Sequence, residues 1–265
     1  MIYIVTAVHN RFKITEKFIS YLNQQTIKEN IHLVLVDDGS TDNTAEMVKK
    51  NFSNNTILQG DGNLWWGGAL HMAYKHICSL TTTDNDIVLT ANDDIDISED
   101  FIEEGLRLLK ENQNSLITAC GYSKNDGELI DGAVKYDFKT GGIERLSPGE
   151  RGNCASTRAL FMTMKTYKHI GGFHPILLPH YASDYEYTIR AFKKGHDILS
   201  FSELTYIFDE YTTGDNDLSK LTLKKMFTKR SRFNPIYRMV FLLMITPIRY
   251  IPSNIISYMK KIKQV

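Results

Sequence analysis

Residues 87–98 read IVLTANDDIDIS, an apolar run that passes without interruption into Asn92, Asp93, Asp94 and Asp96. The run is too short for a helix and rich in β-branched residues, so the spacing predicts a buried strand over 86–91. Carboxylates this close together repel one another and, when half buried, raise each other's pKa unless water or a cation lies between them. Two other stretches share the pattern. IYIVTAV (2–8) leads into His9, Asn10 and Arg11, and IHLVLV (31–36) stops at Asp37, Asp38, Gly39 and Ser40. Between them, apolar residues Ile14, Phe18, Ile19 and Leu22 predict a helix over 14–26, and STDNTAEMVKKNF predicts one capped near Asp42 or Thr44. A third strand is expected at 55–58 and a helix at 67–80, opening on two glycines. Strand and helix alternating in this way predict an α/β fold, a Rossmann-like, open and mostly parallel sheet flanked by helices. Such sheets bind ligands outside the carboxyl ends of their strands, where all three polar runs fall.

At 265 residues and 42% hydrophobic content the chain is long enough for one large domain or a domain plus an appendage. Its 31 basic and 31 acidic residues cancel, but not locally. After Asp217 there is no acid, while Lys220, Lys224, Lys225, Lys229, Arg230, Arg232, Arg238, Arg249, Lys260, Lys261 and Lys263 are all basic. A boundary is therefore expected near 217, with 1–217 as the main domain and 218–265 as a basic amphipathic helical region. Its longest apolar run, Met239 to Ile248, is too short to span a bilayer, and Pro247 and Pro252 break it further. Aromatic and aliphatic residues interleaved with bases fit a segment lying on an anionic membrane surface. A helical hairpin packed on the domain, or a contact in a homo-oligomer, is the alternative. No nucleic acid is expected, because no reading motif accompanies the charge. Cys78, Cys120 and Cys154 are widely spaced and odd in number, as reduced thiols of a cytoplasmic protein would be, and MIYIVTAV reads as a strand rather than a signal peptide.

Four motifs carry candidate chemistry. In VLVDDGSTDNT (34–44), Asp38 can accept hydrogen bonds from a base or ribose, or simply close a strand-to-helix turn. In GDGNLWWGGAL (60–70), Gly67 and Gly68 are candidates for presenting amides to phosphate at a helix start, beside the only two tryptophans, for which core packing is the alternative. The acids after 91 supply hard oxygens suited to Mg²⁺ or Mn²⁺, although Ser98, Glu99 and Asp100 are explained by the cap and first turn of the next helix. In PHYASDYEYTIRAFKKG (179–195), an acid at a helix start is either a general base or a favourable partner of the helix dipole. The eight histidines show no metal-ligand spacing.

TAVHNR, VLVDDGSTDNT, GDGNLWWGGAL, LTANDDIDI and HYASDYEYTIRAFKKG, in this order and over residues 1–215, resemble the family 2 glycosyltransferases of the GT-A fold, especially the rhamnosyltransferase-like branch that builds bacterial surface polysaccharides. The resemblance implies a nucleotide-sugar-binding half over 1–115 and an acceptor-side half over 116–217. It implies nucleotide-sugar contacts from Thr6, Asn10, Asp38, Asn63, Trp66, Gly67, Gly68, Asn92 and Asp93. It implies a Mn²⁺ or Mg²⁺ site at Asp94, helped by Asp96, with Asp209 standing where relatives carry a late histidine. Asp184 becomes the catalytic base, with Glu186 next in line. The implied reaction is an inverting displacement from a UDP- or dTDP-type nucleotide-sugar donor to a glycan or lipid-linked acceptor, at the inner face of the plasma membrane. A sugar-phosphate nucleotidyltransferase would want a glycine-rich basic loop after the first strand, and HNRFKITEK lacks it. A catalytically silent sugar-nucleotide-binding scaffold is the remaining rival, against which the joint presence of Asp38, Asp94 and Asp184 argues.

Overall fold

The computed structural model describes residues 1–27, 30–209, 227–229, 231 and 233–262, with side chains up to residue 256. The first half alternates strand and helix: β1 (Ile2–Val8), α1 (Phe12–Gln24), β2 (Ile31–Asp37), α2 (Thr44–Asn51), β3 (Asn55–Gln59), α3 (Trp65–Ser79) and β4 (Ile87–Ala91). There follow β5 (Ile95–Ile97), α4 (Phe101–Glu111), β6 (Ser115–Ser123), β7 (Leu129–Asp131), β8 (Val134–Tyr136), β9 (Ile143–Arg145), β10 (Arg151–Gly152) and β11 (Ala159–Thr163). The chain then runs through α5 (Met164–Ile170), α6 (Ser183–Lys193), β12 (Asp197–Phe208), α7 (Pro235–Ile245) and α8 (Ile251–Ile262).

The main sheet has the order β10-β12-β6-β11-β4-β1-β2-β3, with β5 on β12 and β7 on β6. Strands β1 to β4 are mutually parallel, as predicted, while β11 runs antiparallel between β4 and β6. Strand β1 is buried on both faces because its side chains alternate between two cores: Ile2, Ile4 and Val8 meet α1, α2 and α4, whereas Tyr3 and Val5 meet α3, α5 and α6. Each aliphatic side chain so buried contributes roughly 1.5–3 kcal/mol of transfer free energy.

Two departures from the sequence reading bear on the site. The residues after Asp94 form a short strand, β5, that the sequence pattern did not mark. Ile95 and Ile97 are buried and alternate with Asp96, and this short run pairs antiparallel with the end of β12. Helix α4 starts later, at Phe101, and Ser98 donates to the Asp100 carboxylate instead of capping it. At the C-terminus, α7 is part of the fold: Phe241 and Ile245 pack with Val134, Tyr136, Leu178 and Ile189, and Lys193 Nζ donates to the carbonyl of Ile245 at 2.5 Å. Of the alternatives for this region, α7 takes the packed one. The stretch 218–226, where the expected boundary falls, lies outside the described residues.

Candidate active site at the carboxyl edge of the sheet

Because β1, β2 and β4 are parallel and in register, their polar tails emerge side by side. Asn10 joins two of them, its Oδ1 accepting from the Thr41 amide at 2.8 Å. Asp38 continues β2, its amide donating to Val8 O at 2.9 Å, and it is 7% exposed. Its carboxylate accepts from the backbone amides of Gly62 at 2.8 Å, Leu64 at 3.0 Å and Trp65 at 3.1 Å. Asp38 thus shapes the turn that delivers α3, and its oxygens keep only their remaining lone pairs for another donor. Gly60 allows this approach, since a Cβ there would lie 2.6 Å from Asp38 Oδ1. Asn63 is exposed on the same turn, its amide donating to Asp61.

Three expectations about this cradle are corrected. Thr6 does not reach the edge: it lies inside β1, 0% exposed, and its hydroxyl finds no partner among the described residues. Trp66 is held as a structural residue, its indole N–H donating to Thr157 Oγ1 at 2.9 Å while the ring packs on the α3-side core. The glycines do not offer free amides either. Gly67 N donates to Pro179 O at 2.8 Å and Gly68 N to Leu64 O at 3.1 Å. Their smallness serves packing instead, because a Cβ on Gly67 would lie 2.5 Å from Leu178 O and 3.2 Å from Ser183 Cβ. Helix α3 is thereby docked against the segment that leads into α6.

The acids after β4 meet their cations. Asp93 accepts from Arg11 Nε at 3.0 Å and from Thr15 Oγ1 at 2.8 Å, inside the fold. Burial pushes its carboxyl up, against the pull of Arg11. Burial likewise opposes the charge on Arg11, but Asp93 and Asp94 outweigh it and hold the guanidinium more firmly charged than usual. Asp94, its side chain 4% exposed, has Oδ1 3.0 Å from Arg158 Nη1 and Oδ2 3.2 Å from Arg11 Nη2. Asn92 fixes the turn, donating its amide to Arg158 O at 2.8 Å. Arg158 Nε also lies 3.6 Å from Asp131 Oδ2, an oxygen that accepts from Ser156 at 2.7 Å and Tyr206 at 2.6 Å.

As a cation site, Asp94 fits to the extent that a guanidinium already stands on it. Asp209 directly follows β12, one residue beyond Phe208, which pairs with Ile95. Asp96 does not fit, because Lys17 Nζ holds both its oxygens at 2.6 and 2.7 Å. Among the described residues no three His, Cys, Asp or Glu side chains form a ready metal cluster.

Asp184 and Glu186 open α6 on a turn set by Ala182 at φ 66°. Glu186 is 4% exposed and is gripped by Arg190 Nε and Nη2 at 2.8 and 3.0 Å, with His174 at 3.9 Å. That pair locks one turn of α6, and Arg190 extends the lock to the carbonyls of Ile170 and Gly172. Asp184 forms no ion pair among the described residues, and one oxygen accepts from the Tyr185 amide at 2.9 Å. Burial pushes its carboxyl up to about 6. The Asp131 charge adds to the rise, and the Tyr185 hydrogen bond and Arg158 restrain it. A carboxylate with that proton affinity, near an acid–arginine cluster, suits proton abstraction near neutral pH.

Sequence reasoning missed Arg158, Asp131 and Thr15. The first two lie in the irregular stretch after 117, where no periodicity marks them; the demand of the acids for a positive neighbour was a signal for an arginine such as Arg158, and Asp131 had none.

The profile of glycosyl transferase family 2 matches residues 3–168, more than half of the chain. No curated protein matches in sequence. Among solved structures, a fragment of Staphylococcus aureus TarS, residues 1–349, superposes with a TM-score of 0.61 at 19% identity, over 78% of this chain and 60% of that one. A Pyrobaculum calidifontis mannosyltransferase in complex with GDP-Man and Mn²⁺ gives 0.56 at 14% identity, over 78% and 56%. GalNAc-T7 with UDP, GalNAc and Mn²⁺ gives 0.63 at 11%, over 79% and 43%. The chain therefore spans less than two thirds of each of these solved chains, and what they share with it is the GT-A fold.

Proposed function

The chain belongs to glycosyl transferase family 2, and from that premise we propose that it moves a sugar from a nucleoside diphosphate donor, of UDP or dTDP type, to a hydroxyl acceptor with inversion. The observation that carries this is Asp184, a carboxylate at a helix start with its proton affinity raised to about 6 and no cation bound to it among the described residues. Its ionised form takes the proton of the acceptor hydroxyl as that oxygen attacks the anomeric carbon. The bond to the diphosphate breaks, and its electron pair leaves with the phosphate through an oxocarbenium-like state. Glu186 keeps α6 in place through Arg190 and takes no proton.

In this proposal the donor lies across the carboxyl ends of β1, β2 and β4, with Asp38, Asn10, Asn63 and Asn92 lining its nucleotide side. Asp94 and Asp209 would hold a divalent cation, Mn²⁺ or Mg²⁺, which supplies neutralisation of the departing diphosphate. The solved mannosyltransferase and GalNAc-T7 carry Mn²⁺ in their complexes, which supports the choice of metal. We assign a glycan or lipid-linked acceptor of bacterial surface polysaccharide, as in the rhamnosyltransferase-like branch. The basic C-terminal region rests on anionic lipid at the cytoplasmic face of the membrane.

The test is Asp184→Asn assayed against a panel of UDP, dTDP, GDP and CMP sugars. Loss of transfer by about 10²–10⁴-fold is expected, the usual worth of a general base, with donor binding by calorimetry nearly intact. Undiminished turnover would remove Asp184 from the reaction.

A further inference from the structure

Arg158 abstracts no proton in the proposed reaction, yet it touches more of the acid cluster than any catalytic group assigned above. Its Nη1 stands 3.0 Å from Asp94 Oδ1, its Nε 3.6 Å from Asp131 Oδ2, and its guanidinium carbon 4.3 Å from the centre of the Phe208 ring. Its side chain is 16% exposed. Its carbonyl accepts the Asn92 amide, so its backbone is tied to the same turn that carries Asp94. With Arg11 on the other oxygen, each oxygen of Asp94 faces a guanidinium. A hard divalent ion needs those oxygens, and an arginine already bonded to one of them is a competitor for the same charge. Asp131, itself steadied by Ser156 and Tyr206, gives the guanidinium a second carboxylate to keep when the first is taken.

We infer that Arg158 is a positioning residue of the donor site, the resident counter-ion of Asp94 that an incoming divalent cation must displace, so that cation binding and release of Arg158 toward Asp131 are one exchange. The inference rests on the donor-site reading of Asp94. It explains how a strand tip can hold buried acids without a cation and still be open to one.

The test is Mn²⁺ binding in the absence of nucleotide, followed by the electron paramagnetic resonance signal of the free ion. Arg158→Gln should bind Mn²⁺ at least tenfold more tightly than the wild type, Arg158→Lys within about threefold of it, and adding Asp94→Asn to Arg158→Gln should abolish the gain. A folded Arg158→Gln protein that binds Mn²⁺ no better than the wild type overturns the inference, as does a gain that survives Asp94→Asn. Should Arg158→Gln not fold, ¹⁵N-arginine side-chain spectra of the wild type decide: the resonance absent in Arg158→Lys should shift as Mg²⁺ is added, and an unmoved resonance at saturating Mg²⁺ overturns the exchange. UDP and dTDP binding to the wild type is measured alongside. If a nucleotide binds while Arg158→Gln gains nothing, the inference alone falls; if no nucleotide binds with or without Mn²⁺, the donor-site reading falls with it.

Discussion

Asp184 and Glu186 stand two residues apart at the start of one helix and are put to different uses by what faces them. With its carboxyl raised to about 6, Asp184 is a base only once ionised, so kcat/KM should climb as pH rises through about 6 and level off above it. A flat profile between pH 5 and 7.5 would deny that this group titrates in the reaction. The same shift has a stability sign. The fold holds this proton more tightly than the unfolded chain does, so the contribution of Asp184 to stability falls as pH rises through about 6. Glu186→Gln should behave in the opposite way to Asp184→Asn. Turnover persists, while the melting temperature drops as the grip of Arg190 weakens, by about 1–3 kcal/mol of hydrogen-bond free energy. Thermal unfolding beside an activity assay separates the two residues: an inactive Glu186→Gln protein with an unchanged melting temperature would reverse their roles. The legible part at this scale was residue type and spacing; that Arg190, one helical turn on, claims Glu186 and leaves Asp184 unclaimed depends on side-chain geometry.

At the scale of elements, the start of α3 is the joint between the donor edge and the base. Asp38 gathers the amides of the turn before it, and Gly67 lets its first turn press on the 178–183 segment. Gly67→Ala forces a methyl against the carbonyl of Leu178, where only backbone can give way. Overpacking of this kind costs about 1–3 kcal/mol, and here it also pushes the approach to Asp184. The expected outcome is a lower melting temperature together with a fall in kcat, read from thermal unfolding and steady-state rates. A Gly67→Ala protein with wild-type kcat would show that the joint does not position the base. In the sequence the two glycines read as amides offered to phosphate at a helix start, and their packing role was not legible. Nor was what approaches them, because Pro179 is more than 110 positions away in the chain.

For the whole molecule, α7 decides how the basic C-terminal region can be tested. Phe241 is 0% exposed and Ile245 2%, whereas Leu243 is 53%, Ile248 86% and Ile256 57% exposed. Among the described residues no helix is long and apolar enough to cross a membrane. Cutting the chain at Asp217 would therefore remove core as well as surface. Phe241→Ala should cost about 3–5 kcal/mol of stability, as large-to-small core changes do, with denaturant midpoints as the measurement. Leu243→Glu and Ile248→Glu should leave stability nearly unchanged and reduce sedimentation with vesicles containing anionic lipid. Undiminished sedimentation of the double variant would take the outer face of these helices out of membrane binding.

The sequence by itself determined the parallel half of the sheet, β1 to β4, because apolar runs of strand length alternating with amphipathic helices have few ways to bury both faces. It also placed the polar tails at the carboxyl edge and singled out the acids at 92–96 as requiring a positive partner. Tertiary structure decided what that partner is and how the acids divide. Arg11 and Arg158 reach Asp94, Lys17 takes Asp96, Thr6 is sealed inside β1 and Trp66 is bonded to Thr157. The reason is physical: hydrophobic periodicity is a local signal repeated along the chain, whereas the neutralisation of a buried charge is settled by single side chains brought from distant positions by the fold.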